Sequence, residues 1–157
     1  MEDYRKGRPE KEVFSIERQE EIKKEVVEFV NENLVPHPKI NKIILFGSLA
    51  KGEFGKYKEE YKNRIYSDID LLLLVENDYK VPGDWKIHFE GNPDLEGDLY
   101  KAYFGEKLEN KFLVQYMVCR KKSYTNSENK EVAEKWGVPL KLESSEHEFE
   151  IIYQKDS

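Results

Sequence analysis

The sequence has a single cysteine, Cys119, and no long apolar run. One cysteine cannot form an intramolecular disulfide, and no stretch approaches the apolar length that a bilayer-spanning helix needs. The first residues, Met1 to Pro9, are charged and contain no apolar run of the kind found in a signal peptide. We therefore expect a soluble, cytoplasmic protein.

The chain also lacks an excess of basic residues, since 26 Lys and Arg stand against 32 Asp and Glu, giving a net charge of −6. Non-specific DNA binding depends on a basic face that neutralises phosphates, so we do not expect it here. An apolar content of 38%, with ten Tyr and eight Phe, argues against a disordered chain. There is no internal repeat or linker, and the 157 residues are predicted to form one domain, 1–157.

The N-terminal third is predicted to contain one amphipathic helix. Residues 1–13 are polar and are predicted to be flexible, with Pro9 opposing regular structure. Ser15 is predicted to cap a helix that runs to about Leu34, because apolar residues recur at i, i+4, i+7 and i+8 from Ile22. Such a helix is expected to cover one face of a sheet.

Contiguous or alternating apolar residues predict the strands of that sheet. They lie at residues 40–46, 68–75, 85–89, 112–120 and 149–153, the last at a sheet edge. Further helices are predicted to begin near Leu49, at Asn92, running to about Tyr103, and at Ser127, which is expected to cap a helix ending near residue 136. The predicted fold is a single α/β (α+β) domain with a mixed sheet of about five strands and helices packed on it.

The chain is organised around a strand that ends in Gly47 and Ser48. Gly47 permits a backbone conformation that a side chain would block, and Ser48 can cap the short helix near Leu49. A strand, a tight turn and a helix start present backbone N–H groups to an anion, so Gly47 and Ser48 are candidate phosphate-binding residues. The lysine-rich segment that follows, residues 49–66, is predicted to be a surface insertion in the form of a loop or hairpin.

The next strand begins with two aspartates, Asp68 and Asp70. Residues two apart on a strand point the same way, so the two carboxylates are expected to share a face. Mg²⁺ prefers oxygen ligands and usually binds through one or two carboxylates plus substrate phosphates. The pattern therefore predicts Asp68 and Asp70 as metal ligands and catalytic residues beside a nucleoside triphosphate. The reaction it favours is in-line attack on the α-phosphate.

At these residues the chain resembles the nucleotidyltransferase superfamily, typified by the DNA polymerase beta fold, and within it the minimal nucleotidyltransferases. The resemblance is carried by residues 46–48, by Lys51 with Gly52, and by residues 67–71, which read Ser-Asp-Ile-Asp-Leu. It implies transfer of a nucleoside monophosphate to a hydroxyl, with ATP as the expected donor and Mg²⁺ or Mn²⁺ as the cofactor. It also implies a phosphate contact from Lys51. Small relatives often pair with helical proteins in toxin–antitoxin modules, so a helical partner acting in trans is a further expectation.

The resemblance implies a third carboxylate on the strand at 112–120, but Gln115 and Tyr116 stand where an acid is expected. A neutral amide or phenol binds a metal poorly and is a weak base. Three interpretations stay open. The acid comes from Glu90, Asp98 or Glu106; or the chain binds nucleotide and transfers slowly or not at all, as a regulatory or interaction module; or the strand is wrongly assigned.

The insertion offers further candidates. Lys56, like Lys51, is a candidate phosphate contact, although lysines of an exposed loop are usually only solvated. Tyr57, Tyr61 and Tyr66 could stack on a base, but their packing on the domain is the favoured interpretation.

Overall fold

The structure, a computed structural model, describes residues 9–61, 64–89 and 102–155 of the chain. Nine strands and four helices lie in these ranges. In chain order they are β1 (Lys11–Val13), α1 (Ile16–Asn33), β2 (Ile40–Phe46), α2 (Ser48–Lys51), β3 (Gly55–Tyr61), β4 (Arg64–Tyr66), β5 (Ile69–Val75), β6 (Lys86–Phe89), β7 (Ala102–Leu108), β8 (Phe112–Arg120), α3 (Lys121–Tyr124), α4 (Ser127–Lys135) and β9 (Glu150–Gln154).

Six strands form the main sheet, in the order β6-β7-β8-β5-β2-β9. Strands β5 and β8 run parallel, and the other neighbouring pairs are antiparallel. A smaller sheet has the order β1-β3-β4. The predicted α+β fold with a mixed sheet is confirmed, as is the edge position of the last strand.

The centre of the main sheet is buried on both faces, as its contiguous apolar runs predict. On one face, Leu71 and Leu73 of β5 belong to a core cluster with Ile22 and Val26 of α1. On the other face, Leu72 and Leu74 of β5 pack with Cys119 of β8 and with Ala133 of α4. Alternate residues of β5 thus enter two separate cores, which explains why the strand shows no polar position after its start.

Helix α1 forms where the apolar spacing predicts it. The Ser15 hydroxyl accepts a hydrogen bond from the Arg18 backbone N–H at 3.1 Å, and Leu34 is the C-cap. Ile22, Val26 and Val30 of this stripe are fully buried, and Phe29 is partly buried against the same core. Among the described residues, no helix has the length and apolarity to cross a membrane.

The N-terminal segment corrects one expectation. Residues 1–13 were predicted to be flexible, but Lys11–Val13 form β1, which pairs antiparallel with β3. Gly55 allows this approach, because a Cβ atom there would overlap the backbone carbonyl of Glu12. Strand β1 forms because it pairs with the edge of β3. Its partner is more than forty residues away in the sequence, so residues 11–13 themselves carry no pattern that predicts a strand.

The helix predicted to start at Asn92 corrects a second expectation. Most of it lies outside the described residues, but Ala102 and Tyr103, which were assigned to its end, belong to β7. They pair with Met117 and Tyr116 of β8. Pairing with a central strand has overridden an apolar spacing that fitted a helix equally well.

Two cap assignments are each wrong by one residue. Asn126, not Ser127, caps α4, since its side chain accepts from the Asn129 N–H. Gly47, not Ser48, is the N-cap of α2, and Ser48 is the first helical residue. Ser and Asn both favour caps, so neighbouring candidates cannot be ranked from sequence.

The buried side chain of Gln19 forms hydrogen bonds that connect α1 with the segment after β1 and with the segment before β3. Its amide donates to the carbonyls of Phe14 (2.9 Å) and Gly52 (3.0 Å) and accepts from the Phe54 N–H (3.2 Å). We expect Gln19→Leu to lower the free energy of unfolding by about 2 kcal/mol, because the buried Phe54 N–H and the less buried carbonyls of Phe14 and Gly52 lose their partner. Urea unfolding would measure this, with Gln154→Leu on the exposed edge strand as control. A loss no larger than the control's would show that water replaces the amide.

Candidate functional site

The end of β2 and the start of β5 meet at one edge of the main sheet. Phe46 pairs directly with Asp70, so the turn at Gly47 and Ser48 lies beside the acidic start of β5. This edge opens into a cleft of about 510 Å³. The residues that line it are Lys11, Val13, Gly47, Ser48, Lys51, Glu53, Tyr57, Ser67, Asp68 and Asp70. All five site residues predicted from the sequence are therefore brought together.

Gly47 is required in this turn for two reasons. Its backbone has φ 76° and ψ −154°, a region that only glycine adopts readily. A Cβ atom at this position would also overlap the Asp70 carboxylate. The turn and the carboxylate thus lie in direct contact, so a ligand bound by one is adjacent to the other.

Ser48 begins α2 without acting as a cap, and no side chain caps this helix. With only four residues, α2 contributes little dipole, so anion binding here depends on individual backbone N–H groups and on the Ser48 hydroxyl. The Lys51 N–H is already bonded to the Gly47 carbonyl at 3.1 Å. Lys51 therefore offers the cleft its ammonium group and not its backbone.

Asp68 and Asp70 both line the cleft although the strand starts later than predicted. β5 begins at Ile69, so Asp68 lies in the extended segment just before it. Ile69 is fully buried between the two aspartates. One carboxylate oxygen of Asp68, Oδ1, is also buried. The two acidic side chains are half-buried groups at a sheet edge, and the apolar residue between them anchors the strand in the core.

The parallel register of β5 and β8 identifies the residue that stands where the third acid is expected. Asp70 is opposite Gln115, and Leu71 is opposite Tyr116. Directly paired residues project from the same face, so Gln115 shares the face of Asp70. Tyr116 faces the other way, where its ring stacks on Trp85 at a centroid distance of 4.0 Å. Burial raises the pKa of the Tyr116 hydroxyl well above its usual value, so it is not a base.

The described residues cover only one of the other candidates for a third acid. Glu90 and Asp98 lie outside them. Glu106 belongs to β7 and not to a helix. Burial is the first cause of the raised pKa of the Tyr116 hydroxyl, and the negative charge of Glu106 is the second.

Sequence reasoning missed a third carboxylate that does line the cleft, Glu53. It follows α2, and its backbone N–H donates to the Ser48 carbonyl at 2.8 Å. Within residues 9–61, 64–89 and 102–155, however, no three His, Cys, Asp or Glu side chains are arranged to bind one metal ion. Strand β5 and the residue before it contribute two carboxylates to the cleft, those of Asp68 and Asp70.

The small sheet contributes the remaining residues, which sequence reasoning did not place in the site. Lys11 and Val13 come from β1, Tyr57 comes from β3, and Ser67 precedes Asp68. Lys56, the other lysine considered as a phosphate contact, does not line the cleft. The packing interpretation of the tyrosines is right for Tyr57, which is 8% exposed. No local signal marked Lys11, because only its pairing with β3 brings it here.

The fold and the cleft together define an α+β protein in which a Gly-Ser turn and two aspartates line one cleft. A family model described as nucleotidyltransferase domain matches residues 20–136, well over half of the chain. The chain thus belongs to the nucleotidyltransferase domain family. The matched range contains Gly47, Ser48, Lys51, Asp68 and Asp70, and it excludes β1 and β9. Comparison with curated proteins gives no match.

Proposed function

We propose that this protein binds a nucleoside triphosphate, ATP by preference, in the cleft and transfers its nucleoside monophosphate to a hydroxyl group. The observation that carries the proposal is the pairing of Phe46 with Asp70, which sets the Gly47 turn against the acidic edge. A phosphate chain held by the turn would lie within reach of both aspartates. The family supports nucleotidyl transfer in general; the donor, the metal and the acceptor are parts of the proposal.

The cleft fits Mg²⁺ or Mn²⁺ by its chemistry. Asp68 and Asp70 supply oxygen ligands, and contact with the turn places Asp70 beside any phosphate bound there. Two carboxylates plus substrate oxygens and water are a usual set for Mg²⁺, so a protein triad is not required for binding. Bound there, the ion would neutralise phosphate charge and stabilise the transferring group.

The residues of the chain would then orient the donor. Gly47 and Ser48 would contact the β- and γ-phosphates, and Lys51 would add a positive charge to the same side of the cleft. The oxygen of an acceptor hydroxyl attacks the α-phosphorus and its proton passes to water. The bond from the α-phosphorus to the oxygen that bridges to the β-phosphorus breaks, and pyrophosphate leaves. Holding the donor with its α-phosphate exposed to the acceptor is the main contribution of such a site, since phosphoryl transfer depends on positioning and charge.

The acceptor is proposed to be a hydroxyl on another protein, in the cytoplasm. The cleft is open to solvent, and α1 to β9 account for the described chain without a helical bundle of its own. A helical partner protein acting in trans, as in toxin–antitoxin modules, would provide the acceptor hydroxyl.

A second function is favoured by Gln115, which stands opposite Asp70 in β8. An amide there cannot replace a metal-binding carboxylate or accept the proton of an acceptor hydroxyl. The alternative is a regulatory or interaction module that binds nucleotide and transfers it slowly or not at all.

Incubation with α-³²P-labelled ATP and Mg²⁺ or Mn²⁺, alone and with candidate partner proteins, separates the two functions. The enzyme predicts metal-dependent label on an acceptor. Binding of Mg-ATP by calorimetry without any labelling would contradict the enzyme and leave the binding module. Absence of both would contradict the nucleotide proposal altogether.

Replacing Gln115 with Glu tests whether this position faces the metal. We expect Gln115→Glu to tighten Mn²⁺ binding by about tenfold, because it adds a carboxylate on the face of Asp70. Calorimetric titration with Mn²⁺ measures this, and Gln115→Met, of similar size without the charge, is the matched control. Equal affinity in both variants would show that residue 115 is out of reach of the ion.

A further inference from the structure

We propose that Lys11 binds the phosphate chain of the nucleotide, and that β1 is therefore a functional part of the cleft. The proposal rests on the proposed function for the identity of the ligand. Lys11 lies outside residues 20–136, the range that matches the family. Strand β1 of the small sheet brings Lys11 into the cleft from outside that range.

Two contacts help to position the Lys11 ammonium group. Its Nζ donates to the Ser67 hydroxyl at 3.2 Å, and Ser67 is the buried residue immediately before Asp68. The same nitrogen lies 5.8 Å from the centre of the Tyr57 ring, within the range of a cation–π contact. Lys11 lines the same cleft as Gly47 and Ser48.

The pairing of β1 with β3 fixes the backbone of Lys11 beside the cleft. Lys11 is opposite Tyr57 in the β1–β3 register. Gly55 of the same strand is bonded to Ser67 twice: its N–H donates to the Ser67 hydroxyl at 3.2 Å, and its carbonyl accepts from the Ser67 N–H at 2.9 Å. Strand β3, which pairs with the strand of Lys11, is therefore hydrogen-bonded to Ser67, the residue before Asp68.

The carboxylates of the cleft make a positively charged residue necessary for binding a polyphosphate. Three carboxylates, Asp68, Asp70 and Glu53, line the cleft and would repel a polyphosphate. Lys51 and Lys11 are the lysines among the lining residues. An ammonium group has three N–H donors, so Lys11 can keep Ser67 as a partner and also contact a phosphate oxygen.

Neighbouring lysines of the small sheet are placed differently. Lys58 is engaged with Glu10 in an exposed ion pair at 2.9 Å. Lys56 is exposed and is adjacent in sequence to Tyr57, so it projects from the opposite face of β3. Lys56 is therefore a matched control on the same hairpin, with the same charge and no access to the cleft.

The test compares Lys11→Met with Lys56→Met, each binding two probes by calorimetry. The probes are inorganic tripolyphosphate without metal and Mg²⁺ with a non-hydrolysable ATP analogue. We expect Lys11→Met to weaken tripolyphosphate binding by about tenfold, the size of one charge-assisted contact, and to reduce its dependence on salt. Lys56→Met should stay within about twofold of the wild type on both probes.

Lys11→Arg separates charge from packing. It should recover most of the affinity lost in Lys11→Met, whereas equal losses in both variants would mean that Lys11 acts only by holding the Ser67 segment. Unchanged tripolyphosphate and nucleotide binding in Lys11→Met would overturn the Lys11 proposal and leave the proposed function intact. A wild-type protein that binds neither probe would contradict both.

Discussion

Asp70→Asn is expected to lower metal-dependent nucleotidyl transfer by about a thousandfold, because in the proposed function it would remove a charged metal ligand beside the phosphate-binding Gly47 turn. Asp70 is the residue that pairs with Phe46 and contacts the turn. The rate of labelling from α-³²P-labelled ATP measures the effect. Where no acceptor has been identified, the same variant should lose binding of Mg-ATP by calorimetry.

Thermal stability provides a readout that does not depend on transfer. A ligand at a hundred times its Kd stabilises the folded protein by about 2.7 kcal/mol, so Mg-ATP should raise the unfolding temperature of the wild type. Asp70→Asn should unfold near the wild-type temperature without ligand and show no such increase with it. This pattern distinguishes a lost ligand from a damaged fold.

Asp78→Asn is the matched control for Asp70→Asn. Asp78 is an exposed carboxylate paired with Lys39 at 2.8 Å and does not line the cleft. An exposed pair of this kind contributes little, so binding and stability should match the wild type. If Asp70→Asn kept wild-type affinity for Mg-ATP, the nucleotide would not be bound at this edge of the sheet.

Gly47→Ala is expected to remove nucleotide binding and to lower the free energy of unfolding by about 3 kcal/mol, through backbone strain and an overlap. The strain comes from φ 76° with ψ −154°, and the overlap is between the new methyl group and the Asp70 carboxylate. To relieve the overlap, Asp70 or the turn must shift away from the other. Urea unfolding and calorimetry with Mg-ATP measure the two consequences.

Gly137→Ala isolates the backbone contribution. Gly137 also has a positive φ, 84°, but a Cβ atom there meets no neighbour, and the residue does not line the cleft. It should lose about 1 kcal/mol of stability and keep full nucleotide affinity. Equal binding by Gly47→Ala and the wild type would show that the turn does not contribute to the ligand site.

The elements with strong local patterns could be predicted from the sequence. Contiguous apolar residues marked β2 and β5, and helical spacing with a Ser15 cap marked α1. The same holds for the residues of the cleft that β2 and β5 carry. Gly47 directly follows the buried strand β2, and Asp70 lies at the start of the buried strand β5. Because both strands are buried, their polar ends must lie at the edge of the sheet.

Elements that depend on pairing with a distant partner could not be predicted in this way. β1 has three residues, and it exists because Gly55 of β3 lets its backbone approach. The start of β7 at Ala102 has an apolar spacing that fits a helix, and its pairing with β8 decides for a strand. Lys11 entered the site for the same reason, since its pairing with β3 brings it to the cleft.

The sequence by itself determined a nucleotidyltransferase-type α+β domain with a Gly-Ser turn and an Asp-x-Asp strand, because these features are written in contiguous residues. Only the tertiary structure decided which residue of β8 stands beside Asp70. Register between parallel strands more than forty residues apart depends on the packing of both faces of the sheet, and a shift of one residue exchanges those faces. The observed register puts Gln115 beside Asp70 and buries Tyr116 in the opposite core.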